Sequence, residues 1–96
     1  MIKITFNAFS FLREHLKKRN IPFVNHIMEI PKDCTANELI DNLGFQKGKV
    51  EFVFINGKVL PKDTRLKDGD RVAFVPPGTP GSYRLMLGAK KVEKGN

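Results

Sequence analysis

The tightest constraint on how this chain can fold is the dipeptide Asn56-Gly57, set between the apolar run Val50-Glu51-Phe52-Val53-Phe54-Ile55 and the short return Lys58-Val59-Leu60. Asparagine and glycine both accept positive φ, which a type I′ turn demands at its two central positions, so the pair specifies a two-residue β-hairpin. Side chains alternate along a strand, which sends Phe52 and Phe54 to one face of the sheet and Val53 and Ile55 to the other. A helix can cover only one of those faces. The remaining aromatic or aliphatic pair is then an apolar patch suited to a partner, unless the sheet is buried on both sides. Phe52 and Phe54 are the candidates for that patch. Pro61 interrupts the return strand by withholding a backbone donor, and Asp68-Gly69-Asp70 turns the chain into a last strand at Arg71–Val75.

Upstream, Ile2, Ile4 and Phe6 alternate with Lys3, Thr5 and Asn7, the two-residue period of a strand with one buried face. Phe9, Leu12 and Leu16 follow at helical spacing, with Ser10 as cap and Asn20 and Pro22 as stop signals, which predicts a short helix over 10–19. Residues 23–30 read as a second strand ended by Pro31-Lys32-Asp33, with its inward face undetermined. Thr35 followed three residues on by Glu38 is a capping box that satisfies two otherwise orphaned backbone N–H groups. Ala36, Leu39, Ile40 and Leu43 then form one apolar stripe, and Gly44 supplies a left-handed C-terminal cap, so 36–43 is the helix expected to cover the sheet. The order of elements, with an apolar strand first and last, suggests a two-layer mixed sheet with those two strands central.

Ninety-six residues leave room for a single core. No apolar run approaches the roughly 18 residues that span a bilayer, and the N-terminus lacks a secretory apolar region, so a cytoplasmic protein without a membrane partner is expected. Cys34 is the lone cysteine, which excludes an intrachain disulfide and a cysteine-rich zinc site. It precedes a helix start, where a thiol can be activated, but a small half-buried spacer is the commoner fate. His15 and His26, with Glu14 and Glu29 nearby, match no ligand spacing and read as surface or half-buried residues, so no metal is expected. The chain carries none of the nucleophile-elbow, phosphate-loop, dinucleotide or HExxH patterns, so no catalytic residues and no cofactor are assigned. The formal charge of +7 could signal an acidic partner, yet three of those charges sit within residues 82–96. The one dense basic cluster elsewhere, Lys17-Lys18-Arg19, reads as a solvated helix end.

Over residues 1–81 the chain resembles the MoaD/ThiS family of ubiquitin-like β-grasp sulfur carriers. The opening IKITFNAF-x-x-LRE is similar to that family's first strand and turn. The stretch FVFINGKVLPKDTRLKDGDRVAFVPP is similar to its third to fifth strands, through Asn56, Gly57, Asp63, Leu66, Asp68, Gly69, Asp70, Val72, Ala73, Pro76 and Pro77. The resemblance implies an α+β fold, a mixed sheet of four to five strands packed against one main helix. It also implies a carrier of molybdopterin, tungstopterin or thiamine biosynthesis that performs no catalysis itself. An adenylating enzyme would activate its terminal glycine, a sulfur donor would convert it to a thiocarboxylate, and a synthase large subunit would consume the sulfur. A glycine tail has no Cβ and can thread a narrow tunnel toward ATP. On this reading Phe74, Val75, Pro76, Pro77, Gly78, Thr79 and Pro80 form the strand end and tail offered to partners, and Gly81 is the carrier terminus.

The chain departs from the pattern where the family ends in Gly-Gly. Pro80 stands at the penultimate position, and Gly81 is followed by residues 82–96, so Gly81 has no free carboxylate until that extension is removed. Two domains of sequence therefore follow: a carrier-like body at 1–81 and an extension at 82–96. Within the extension Tyr83, Leu85 and Leu87 alternate with Ser82, Arg84 and Met86, which predicts a further strand over 82–87 pairing with its own sheet edge or with a second copy. Two alternatives stay open. One is a β-grasp interaction module without carrier activity. The other is a domain like the TGS-type RNA-associated domains, whose V-N-G-K pattern is similar to residues 55–72. Nucleic acid is the less expected partner, because Pro76-Pro77 and the lack of interleaved aromatic and basic residues fit it poorly.

Overall fold

A computed structural model of the chain describes residues 1–46 and 48–77. Its elements are β1 (Ile2–Ala8), α1 (Leu12–Lys18), β2 (His26–Ile30), α2 (Ala36–Asn42), β3 (Phe52–Ile55), β4 (Lys58–Leu60) and β5 (Arg71–Val75). They form one five-stranded sheet in the order β2-β1-β5-β3-β4. β1 and β5 are parallel and occupy inner positions, while β2, β3 and β4 pair antiparallel with their neighbours. The mixed sheet with the first and last strands inside is the expected arrangement. The predicted strand over 82–87 and residues 78–81 lie outside the described residues.

The core lies between the sheet and the two helices. Ile4, Phe6 and Ala8 of β1, Val53 and Ile55 of β3, and Val72 and Phe74 of β5 meet Leu12 and Leu16 of α1 and Ala36, Leu39 and Ile40 of α2. Register places Phe6 beside Val72 and Val72 beside Ile55, so one row of apolar side chains crosses three strands under the helices. The Phe74 ring packs edge-on to Phe6 at 5.2 Å and to Phe45 at 6.1 Å. Edge-to-face pairs of this kind stabilise a core beyond their buried area.

The local signals explain most boundaries. Thr35 Oγ1 accepts from Glu38 N at 3.1 Å while Glu38 Oε1 accepts from Thr35 N at 2.8 Å, so the capping box is complete. Gly44 ends the helix region at φ +82°. Asn56 and Gly57 adopt φ +54° and +83°, the values a type I′ hairpin requires. Two expectations need correction. Ser10 does not cap α1: it sits at φ +58°, and the helix starts after Phe11 with no side-chain cap. β2 starts at His26 rather than at residue 23, because Asn25 adopts φ +46° and donates its backbone N–H to Asn7 Oδ1 at 2.9 Å, which breaks the extended run.

Candidate functional site

Both helices pack on one face of the sheet, and the opposite face carries a second apolar cluster. Register builds it in two rows. Asn7 of β1 stands beside Ala73 of β5, Ala73 beside Phe54 of β3, and Phe54 beside Val59 of β4. One step along, Val75 stands beside Phe52, and Phe9 extends β1 by donating its backbone N–H to Phe74 O at 3.2 Å. Phe54 and Val75 are buried at the centre of this cluster, with Phe9, Phe52, Val59 and Ala73 half-buried around them. The Phe52 and Phe54 rings are tilted against each other at 6.4 Å. The structure thus places Phe52 and Phe54 on the face away from the helices and puts Val53 and Ile55 in the core.

Phe9 belongs to this face, not to the stripe of α1 that includes Leu12 and Leu16. The signal that finds it is the strand period: Thr5, Asn7 and Phe9 alternate with Ile4, Phe6 and Ala8, so Phe9 must point away from the helices if β1 runs on. Arg13 fixes the Phe9 ring in place. Its Nε donates to Ala8 O at 2.7 Å, and its guanidinium lies 5.5 Å from the Phe9 ring and 5.2 Å from the Phe23 ring. Val59 also escaped the sequence reading, although a two-residue hairpin turn dictates that it pairs with Phe54. Beside the cluster lies a depression of about 300 Å³ between Asn7, Asn25, Arg71 and the rings of Phe9 and Phe54. Arg71 Nη2 donates to Asn25 Oδ1 at its rim at 3.4 Å.

The chain leaves the sheet at the end of β5, between Phe9 and Phe52. Glu51 donates its backbone N–H to Val75 O at 2.8 Å, so pairing continues to the last residue of the strand. Pro76 is buried and Pro77 is exposed. Gly78, Thr79, Pro80 and Gly81 lie outside the described residues. Of the residues expected to meet partners, Phe74 is fully buried on the helix side, where only the core can use its ring. Val75 is buried on the opposite face.

Asn56, Asp68 and Asp70 from the motif-bearing stretch act on the backbone. Asp70 accepts from Lys67 N at 2.8 Å through Oδ2 and from Asn56 Nδ2 at 2.9 Å through Oδ1. Asn56 Oδ1 accepts from Arg71 N at 3.0 Å, and Asp68 Oδ1 accepts from Lys3 N at 2.8 Å. These bonds clasp the β3–β4 turn, the start of β5 and the start of β1 together. Leu66 is buried in the core, and its N–H donates to Cys34 O at 2.8 Å, which ties the loop before β5 to the entry of α2.

The remaining reactive residue types take structural positions. Cys34 is buried, and burial, followed by the Glu38 carboxylate, pushes its thiol above the ordinary value. A nucleophilic thiolate needs the reverse shift. His15 Nε2 lies 2.9 Å from Leu43 O and its ring rests on Phe45 at 4.5 Å, which pins α1 to the end of α2. His26 is half-buried opposite Phe6. Among the described residues no group of histidine, cysteine or carboxylate side chains could hold a metal ion, and no helix is long and apolar enough to cross a membrane.

The ThiS family model matches residues 12–81, which includes α1, α2, all of β2 to β5 and the segment through Gly81. Solved structures share the architecture. A putative molybdopterin converting factor, subunit 1, from Pyrococcus furiosus is 24% identical, with 80% of this chain and 99% of that one covered at a TM-score of 0.61. Small archaeal modifier protein 1 from Haloferax volcanii is 17% identical, with 80% of this chain and 99% of that one covered at a TM-score of 0.59. At such identities the likeness carries the fold, a ubiquitin-like β-grasp. No curated protein sequence matches the chain.

Proposed function

Because the chain belongs to the ThiS family, we propose that it is a sulfur carrier of molybdopterin, tungstopterin or thiamine biosynthesis whose working terminus is Gly81. The observation that carries this reading is the joint position of strand end and family boundary. β5 runs at the centre of the sheet, delivers Pro76 and Pro77 at its end, and the family match stops four residues later at Gly81. A partner adenylating enzyme would join the freed Gly81 carboxylate to the α-phosphate of ATP with loss of pyrophosphate. A sulfide-equivalent nucleophile would then displace AMP, leaving a thiocarboxylate for a synthase subunit to consume. The carrier contributes a carboxylate and a docking face, and catalysis belongs to its partners. Phe9, Phe52, Phe54 and Val59 supply the apolar part of that face, and Arg71 adds a cation at its edge.

The extension after Gly81 must be removed first, since an internal peptide carbonyl cannot be adenylated. ATP–pyrophosphate exchange with the adenylating enzyme of the same cells tests this directly. A chain ending at Gly81 keeps every described element of the fold and should support exchange, whereas the full chain and a chain ending at Pro77 should not. Exchange that is equal for all three would refute Gly81 as the activated residue. A non-carrier interaction module is the second reading, favoured by Pro80 in place of the penultimate glycine. It requires that the chain ending at Gly81 be inert in this assay.

A further inference from the structure

We propose that the segment 82–87 of this same chain docks on the sheet face opposite the helices and masks it until the extension is removed. The masking consequence rests on the carrier reading; the docking does not. Three observations point to this occupant. The face is apolar along the row Ala73, Phe54 and Val59 and along the row Phe9, Val75 and Phe52, and both rows lie next to the exit of β5. The segment that follows is patterned to match. In an extended conformation Tyr83, Leu85 and Leu87 would share one side, with Ser82, Arg84 and Met86 on the other. Tyr83 to Leu87 covers about 13 Å when extended, enough to cross the roughly 10 Å width of a three-strand row.

The reach also fits. Five residues, 78–82, separate Pro77 from Tyr83 and span at most about 17 Å, enough to reverse direction and lie back over β5 and β3. Gly78, Pro80 and Gly81 supply the residue types that tight reversals use. Charge sets which part of the extension docks. Arg71 borders the face, so the basic stretch at Lys90, Lys91 and Lys94 is repelled from it while the apolar alternation is not. A cleavage after Gly81 would then expose the carboxylate and the docking face in one step, and the uncut chain would present neither to an activating enzyme.

The chain provides its own reporter, because Tyr83 is its only tyrosine and it has no tryptophan. Acrylamide is uncharged, so its quenching of Tyr83 fluorescence reads exposure without bias from nearby cations. In the full chain the quenching constant should be several-fold below that of free tyrosine amide and independent of protein concentration. The doubly substituted Leu85→Ser/Leu87→Ser chain leaves the described fold untouched and should return Tyr83 to full exposure; Phe52→Ser should do so from the other side of the contact. Full exposure in the unaltered chain, or shielding that survives Leu85→Ser/Leu87→Ser, overturns the proposal. Shielding that grows with protein concentration also overturns it, because the occupant is then a second copy. A processed, thiocarboxylated carrier whose uncut form has an exposed Tyr83 refutes the docking alone. A shielded Tyr83 in a chain that is never processed refutes the carrier reading alone.

Discussion

Removing the Asp70 carboxylate should show that the Asn56 and Asp70 motif residues hold the fold rather than a partner. Asp70 accepts two hydrogen bonds, from Lys67 N and Asn56 Nδ2, and nothing else in the turn replaces them. Each such bond is worth about 0.5–1.5 kcal/mol net, about 1–3 kcal/mol for the pair, and partial solvent access keeps the sum in the lower half, so Asp70→Ala should cost about 1–2 kcal/mol. In a domain of this size each kcal/mol lowers Tm by about 4–8 °C. Asn56→Gly removes the partner amide while preserving the permissive φ of +54°, which separates hydrogen bonding from backbone strain. Urea denaturation followed by circular dichroism for both single variants and the double variant gives the coupling of their shared bond. The expected value is about 0.5–1.5 kcal/mol. Additivity within about 0.3 kcal/mol, or an Asp70→Ala chain as stable as the parent, would refute the clasp.

Three further outcomes follow from the packing. Thr35→Ala should cost about 1 kcal/mol, and adding Glu38→Ala should cost less than its own single effect, because the two halves of the capping box depend on each other; denaturation midpoints report both. Phe74→Ala should cost about 3–5 kcal/mol as a core cavity, while Phe52→Ala, half-buried on the opposite face, should cost clearly less; equal losses would contradict the assignment of the two faces. The buried Cys34 thiol is held above its ordinary 9.0, so at about pH 8 it should resist alkylation until denaturant is added. The fold favours the neutral thiol, so its contribution is complete below about pH 9 and is lost as pH rises through the elevated folded value. Rapid native alkylation would contradict this.

Elements with their own local chemistry were legible in the sequence. The Asn56-Gly57 turn, the Thr35/Glu38 box and the alternation of β1 each specify a backbone state from residues close in the chain, and each formed where expected. Failures came where a residue was claimed by two periods or by a distant partner. Phe9 fits both a helical stripe and the strand period, and its hydrogen bond to Phe74 O, 65 positions away, decides for the strand. Asn25 looks like an ordinary strand residue until Asn7 accepts its N–H and draws it into positive φ. The candidate face was half visible: Phe52 and Phe54 announce it, but Val59 and Ala73 join only once register is known. Phe74 lies close in sequence to the tail that begins at Pro76, but strand alternation sends its ring into the core while Val75 takes the outer face.

The carrier role comes down to one atom, the sulfur on a terminal carboxyl. Intact-mass spectrometry of the protein isolated from its own cells should find a chain that ends at Gly81, part of it heavier by the replacement of one oxygen with sulfur and reverting on hydrolysis. Recovery of the chain uncut through Asn96 alone, under conditions in which the cells are making the sulfur-containing cofactor, would contradict the account.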